Sequence, residues 1–280
     1  MQLKIRDSMC RRQAVAVVLG ATLIIAPSLF AQSLQADGDS SPPDAPSAQT
    51  TLPATRNGSP EDPPTLLGMP KRVLADEVGI VTLPARVRTR DLIWLLPVAG
   101  ATAASLATDT KVMRDIVSHD PGFNSTASTS SDVLRAAFIG GPVALYGVGQ
   151  FIGNAKAREA GLLAGEAMVD GYVTSEGIKY VTLRERPNVQ YARGHFFQTD
   201  SASDPSFVSG HSIVAWSSAA VLATEYSKPW QQLGIYTLAT GASLTRVLGQ
   251  DHFPTDVLIG SVSGWLIGRY VYRAHHSHPR

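Results

Sequence analysis

The strongest constraint on this chain is a stop and restart within residues 245–256, Thr-Arg-Val-Leu-Gly-Gln-Asp-His-Phe-Pro-Thr-Asp. An apolar segment of helical character ends near Gly249, a residue suited to the left-handed turn that follows many helices. Pro254 fits the first turn of a new helix, where its missing N–H costs nothing. His252 therefore stands at the mouth of that helix, with Asp256 one turn further on and facing back toward it. A carboxylate on one imidazole nitrogen fixes the tautomer and leaves the other nitrogen free to attack. Arg246 brings a permanent planar cation to the same turn, a shape matched to phosphate oxygens. Taken alone, a His–Asp pair at this spacing also describes an ordinary helix cap.

Two upstream stretches separate those readings. Lys179-Tyr-Val-Thr-Leu-Arg-Glu-Arg186-Pro187 sets two cations seven apart, about two helical turns, so a helix running to Arg186 carries both on one face until Pro187 ends it. Ser209-Gly210-His211 opens another apolar helix, with Ser209 as N-cap and Gly210 letting backbone amides approach an anion. Lys179, Arg186 and Arg246 then supply three cations, and Ser209 and Gly210 supply donors, for a tetrahedral oxyanion.

The order Lys-x6-Arg-Pro, Ser-Gly-His, Thr-Arg-x5-His-x3-Asp resembles the three-part signature of the superfamily that joins type 2 phosphatidic acid phosphatases, bacterial acid phosphatases and vanadium haloperoxidases. Two positions depart from it. Val208 stands where proline usually precedes Ser-Gly-His, and Thr245 replaces the usual serine before Arg246. Threonine keeps the hydroxyl, and Val208 gives up a stiffening ring but no catalytic atom. The resemblance implies a covalent phosphohistidine on His252, oriented by Asp256, with His211 as general acid and Lys179, Arg186, Ser209, Gly210 and Arg246 binding phosphate. It also implies catalysis without a metal or other cofactor. The substrate expected is a phosphorylated small molecule or a lipid phosphate. A vanadium-dependent haloperoxidase, which would hold vanadate in the same cradle, and a non-catalytic helical binding protein are the alternatives.

The remainder of the chain sets the context. A net charge of +1 gives no reason to expect a nucleic-acid partner. Charged residues make up 17% of the chain, against about a quarter in ordinary soluble domains. Residues 1–31 read as a secretory signal peptide, with Lys4, Arg6, Arg11 and Arg12 before an apolar run and small residues after it. Export to the periplasm or the outer face of the inner membrane is expected on that leader, with an integral inner-membrane protein as the alternative. Residues 32–70 read as a disordered Pro/Ser-rich linker, and residues 71–280 as the helical phosphatase domain. Within it, 78–83 reads as a short strand or extended arm and 119–131 as a Ser/Thr-rich loop. Helices are expected over 92–107, 133–152, 160–183, 212–225, 231–248 and 254–274, an all-α bundle of about six helices. The charge-free stretch 136–153 is long enough to span a bilayer. Glu166, Asp170 and Glu176 argue instead that 160–183 is central to the bundle. His195, with Tyr191, Arg193, Phe196 and Phe197, marks a loop that would line the leaving-group pocket or else lie on the surface, while His275, His276 and His278 read as a solvated basic tail, with adventitious metal binding as the alternative.

Overall fold

The computed structural model describes residues 64–189, 191–201 and 204–277. Seven α-helices run through them: α1 (Met69–Thr82), α2 (Leu92–Lys111), α3 (Pro121–Phe151), α4 (Ala155–Thr182), α5 (Gly210–Glu225), α6 (Pro229–Leu248) and α7 (Pro254–His275). No strand occurs among the described residues. The all-α expectation holds, with one helix more than the six foreseen. The signal-peptide reading and nearly all of the linker lie outside the described residues; residues 64–70 of that linker hold a turn and the first residues of α1.

The additional helix is α1, where 78–83 read as a strand or arm. Its pattern misleads because it is inverted. The inward positions Asp76 and Gly79 are buried, while Leu74, Val78 and Val81 face outward and are exposed. The expected loop over 119–131 is likewise the start of α3. Asp120 caps it by accepting the Phe123 N–H at 2.7 Å, and Pro121 occupies the first turn. Thr126 and Ser130 turn their hydroxyls back onto carbonyls of the preceding turn, so a run rich in hydroxyls stays helical. The helix also continues through Gly140-Gly141-Pro142 without a break.

Small residues decide how tightly the helices meet. Gly260, Gly264 and Gly268 recur every four residues and form a stripe along one face of α7. A methyl group on Gly264 would lie 2.4 Å from the Ile213 carbonyl oxygen, and one on Gly268 would lie 2.2 Å from that of Ser217. The α5 backbone therefore rests directly on α7, and Ala215, Ala219, Ala220 and Ala223 keep α5 slim on its other sides. This contact brings the first turn of α5, with Ser209 and His211, against the first turn of α7, with His252 and Asp256. Helix α4 is central as expected, burying Leu162, Leu163, Ala164 and Ala167 along with Glu166 and Asp170.

The outer surface is unusually apolar. Leu92, Ile93, Trp94, Leu96 and Leu106 on α2 are exposed, as are Val133, Ile139, Val143, Val148 and Phe151 on α3 and Trp230, Leu233 and Leu238 on α6. Exposed apolar area on that scale marks a surface that meets lipid or a partner. Among the described residues, the segment long and apolar enough to cross a membrane is Thr89–Ile116, of mean hydropathy 1.4, rather than the charge-free stretch 136–153. None of its most apolar window is buried against the rest of the chain.

Candidate active site

Helix α6 ends at Leu248, and the chain reverses through residues 249–253 before α7 begins at Pro254. The left-handed residue of this reversal is Gln250 (φ 60°), not Gly249, whose backbone is right-handed. Glycine is needed at 249 for space: a methyl group there would lie 2.3 Å from Ser128 Oγ on α3. The reversal is closed by Asp251 and His252, whose N–H groups donate to the Arg246 carbonyl at 3.0 and 3.2 Å. His252 is thereby held at the N-terminus of α7, only 2% exposed.

Asp256 Oδ2 accepts the Phe253 N–H at 2.9 Å, the cap that the sequence reading allowed, and also faces His252 Nδ1 at 3.6 Å. That separation is an ion-pair contact longer than a hydrogen bond. Burial drives the His252 pKa down to about 4, against the opposing pull of Asp256, so the imidazole is neutral at neutral pH. For Asp256 burial alone would raise the pKa, but His252 and Arg184 outweigh it and hold the carboxylate ionised.

The cations arrive differently from the sequence reading. Helix α4 stops at Thr182, not at Arg186, because Leu183 adopts a left-handed backbone (φ 44°). Residues 183–185 then bond to another segment of the loop. Gln198 N–H donates to the Leu183 carbonyl at 3.0 Å, Ser206 N–H to that of Arg184 at 2.8 Å, and Glu185 N–H to that of His195 at 3.0 Å. Residues before a proline avoid the helical region, which favours this extended path. Lys179 and Arg186 therefore do not share a helix face, yet Arg186 still reaches the site. Its Nη1 donates to the Asp251 carbonyl at 2.7 Å and lies 3.4 Å from His252 Nε2, while Asp204 takes Nη2 at 2.5 Å.

The remaining residues close the cradle. Ser209 caps α5, its N–H donating to the Asp256 carbonyl at 3.1 Å. Lys179 Nζ approaches the Gly210 backbone and is paired with Glu176 at 2.7 Å. Arg246 is buried, with Nη1 3.1 Å from Asp251 Oδ2 and Nε without a hydrogen-bond partner. His211 Nε2 lies 2.7 Å from Asp132 Oδ1, which also stands 4.0 Å from Arg246 Nη1. Burial, reinforced by Arg246, pushes the His211 pKa down to about 3 although Asp132 pulls the other way. All eight positions predicted from sequence thus gather at one end of the bundle.

Two functional positions escaped the sequence reading. Asp132 places a carboxylate against His211 and near Arg246, at a helix position that fell between the expected loop over 119–131 and the expected helix over 133–152. Arg184 is 3% exposed and forks between two buried carboxylates, Nη1 to Asp256 Oδ1 at 2.5 Å and Nη2 to Asp109 Oδ2 at 2.7 Å. Its guanidinium lies 4.1 Å from the Phe253 ring centre and 4.8 Å from that of Phe196. Asp109 in turn accepts the Thr255 N–H and hydroxyl at 3.1 and 3.0 Å, so Arg184 ties α2 to the base of the His252–Asp256 pair. The signal was Pro187, which disfavours helix in the residue before it; off the helix, Arg184 reaches Asp256 and Arg186 reaches His252.

A cleft of about 560 Å³ opens onto this cradle. One part is lined by Lys179, Arg186, Gly210, His211, Arg246 and His252. The rest of the lining is mostly apolar, with Ile139 of α3, Met168, Val169 and Tyr172 of α4 and Val214 of α5, joined by the charged Arg135 of α3 and Glu176 of α4. The expected pocket wall from the 191–197 loop is absent from this lining. Tyr191 and Phe197 project outward and are exposed, His195 turns to Glu185 at 3.7 Å, and Phe196 packs on Arg184.

Three comparisons bear on this geometry. Over 75 residues, 26% of this chain, the sequence is 32% identical to the lipid A 1-phosphatase of Porphyromonas gingivalis, and the match spans only 17% of that protein. A solved structure, that of a transmembrane PAP2 type phosphatidylglycerolphosphate phosphatase from Bacillus subtilis, aligns over 74% of this chain and 98% of its own. The TM-score is 0.44 and the identity 21%. Residues 160–280 match the PAP2 superfamily, a span that contains α5, α6, α7 and all three parts of the signature. By that match, and by the cradle its residues build, residues 160–280 are similar to the PAP2 superfamily.

Proposed function

We propose that the protein is a membrane-associated phosphatase that removes a terminal phosphate from a lipid phosphate through a phosphohistidine on His252. The observation that carries the reading is the cleft's lining, which sets the cations around His252 beside the apolar side chains Ile139, Met168, Val169, Tyr172 and Val214, with Arg135 and Glu176 among them. A phosphate with a hydrocarbon tail matches both sets. A small soluble phosphomonoester would use only the first. The exposed apolar faces of α2, α3 and α6 support delivery from a membrane surface, as do the lipid-phosphatase names of the two relatives.

The chemistry follows from the residues present. Phosphate oxygens enter among Lys179, Arg186, Arg246 and the amides at the start of α5, donors fixed before the reaction begins. Neutral His252 attacks phosphorus through Nε2; a P–N bond forms as the bond to the leaving oxygen breaks. Positive charge develops on the imidazole and is met by Asp256 at Nδ1. His211 gives a proton to the leaving oxygen, and the bound phosphate dianion counters the burial and the Arg246 charge that otherwise keep His211 neutral. Water then attacks the phosphohistidine with His211 as base, returning His252 and releasing inorganic phosphate.

The test is a substrate panel on purified protein in mixed micelles. Lipid monophosphates and diphosphates are set beside glycerol phosphate and p-nitrophenyl phosphate at matched concentration. A kcat/KM for lipids at least tenfold above that for the soluble esters is expected. Equal values would remove the lipid assignment and leave a general phosphomonoesterase. Peroxide-dependent bromide oxidation in the presence of vanadate, with no phosphate release, would transfer the cradle to haloperoxidase chemistry.

A further inference from the structure

We propose that Asp76, Glu166, Asp170 and His275 form a buried site for one divalent metal ion of the Mn²⁺–Zn²⁺ class, which staples α1 to α4 and α7. Three of these residues bring their ligand atoms within 4.8 Å of one another: a carboxylate oxygen each from Asp76 and Glu166, and a ring nitrogen from His275. His275 Nε2 lies 2.8 and 3.0 Å from the two Asp76 oxygens and 3.6 Å from Glu166 Oε1. Ligand atoms held ~2.1 Å from one tetrahedral ion stand ~3.4 Å apart, so little movement admits it. An imidazole among carboxylates favours the borderline metals over Mg²⁺ or Ca²⁺.

Asp170 is the independent sign of a missing cation. It lies one turn beyond Glu166 on α4, is 0% exposed, and neither of its carboxylate oxygens has a hydrogen-bond partner. A buried carboxylate without a partner is costly. Its charged neighbours make the need plainer. Asp76, Glu166 and Glu77 all act on Asp170 with like charge, and Arg72 is the cation among them. Arg72 is already committed to Glu166, gripping both its oxygens at 2.9 and 3.0 Å.

The residues come from opposite ends of the described chain, Asp76 from the first helix and His275 from the last turn of the last one. His275 and Asp256 sit at opposite ends of the 22-residue α7, on the order of 30 Å apart, so this site is separate from the phosphate cleft. His275 and His276 are accordingly not the solvated tail that the sequence suggested; His276 pairs with Glu159 at 3.0 Å.

The experiment uses the full chain, stripped with EDTA and titrated with ZnCl₂ and with MnCl₂ separately. Bound metal per chain is measured by elemental analysis and thermal unfolding is followed alongside. The expected result is one equivalent of at least one ion per chain and a rise in Tm of several degrees. Asp170→Asn and His275→Gln should each lose that equivalent and that rise. Asp170→Asn keeps the size of the side chain and adds no charge to the cluster, so its metal-free form should fold about as well as the parent. His276→Ala with His278→Ala should keep both effects. Absence of stoichiometric binding by either ion would overturn the proposal. So would binding undiminished in Asp170→Asn, which would assign the ion to the terminal histidines. Turnover on phosphate substrates is a separate readout and does not enter this test.

Discussion

Arg184→Ala is the perturbation whose size the structure fixes best. The guanidinium holds two carboxylates that are themselves 1% and 0% exposed, Asp109 and Asp256, with one N–H set to each. Its loss leaves both acids buried beside no cation, and breaking a buried pair in this way costs ~3–5 kcal/mol. The acids are not stranded, since Asp109 keeps Thr255 and Asp256 keeps the Phe253 N–H and His252. The expected loss is therefore ~3 kcal/mol for the domain, a large share of the ~5–15 kcal/mol a folded protein commands. Arg184→Lys keeps a charge but not the planar fork, so it should restore only one of the two contacts and about half of the loss. Urea unfolding in mild detergent, read at constant m, measures both variants. Because Arg184 braces Asp256, kcat should also fall in Arg184→Lys while KM changes little. A loss below ~1 kcal/mol in Arg184→Ala, or a lysine variant indistinguishable from the parent, would refute the bracing role.

Further outcomes follow from the same geometry. Gly264→Ala places a methyl group 2.4 Å from the Ile213 carbonyl oxygen, so α5 must move off α7. A cost of ~1–3 kcal/mol and a lower kcat are expected, because the two helix starts carry His211 and His252, the proposed acid and nucleophile. Buried His252 has its folded pKa depressed from 6.5 to about 4. Its contribution to stability is complete above pH 6.5 and is lost as pH falls through about 4, some ~3 kcal/mol in all. His211 adds a loss in the same direction, continuing toward pH 3. Unfolding midpoints measured from pH 8 to pH 4 should fall, and His252→Gln should flatten that dependence. Asp132→Asn frees His211 from its carboxylate partner, so the pH profile of kcat/KM should shift while the Tm changes little, Asp132 being a largely exposed residue.

The site was legible in the sequence because its chemistry is carried by spacing. His252 and Asp256 are one turn apart, and Ser209 and His211 open a helix whose start needs a cap; neither depends on distant packing. Arg186 reaches the candidate site beside His252 by a route other than the expected helix face. The left-handed Leu183 and the bonds from Ser206 and Gln198 that pull 183–185 into an extended path are tertiary. Arg184 was hidden for the same reason, since its side chain looks solvated on any helix that continues to Arg186. The two missed helical stretches share another cause. Helix α1 and the start of α3 turn polar or small residues inward, and α1 exposes aliphatic ones, which inverts the pattern on which a water-facing reading depends. That inversion is also what a lipid-facing surface requires. The stripe of Gly260, Gly264 and Gly268 was visible, but only the partner backbone of α5 gives it meaning.

The central claim is the covalent bond between phosphorus and His252, and rapid acid-free quenching of the enzyme during turnover of a ³²P-labelled lipid phosphate tests it most directly. The label should appear on the protein, survive alkali, be lost in mild acid, and map to the peptide that contains His252. His252→Ala should show none and should lose several orders of magnitude in turnover, while His211→Ala should accumulate the label because its hydrolysis is slowed. Equal labelling in the His252 variant, or rapid turnover with no label on the parent enzyme at any quench time, would contradict the account.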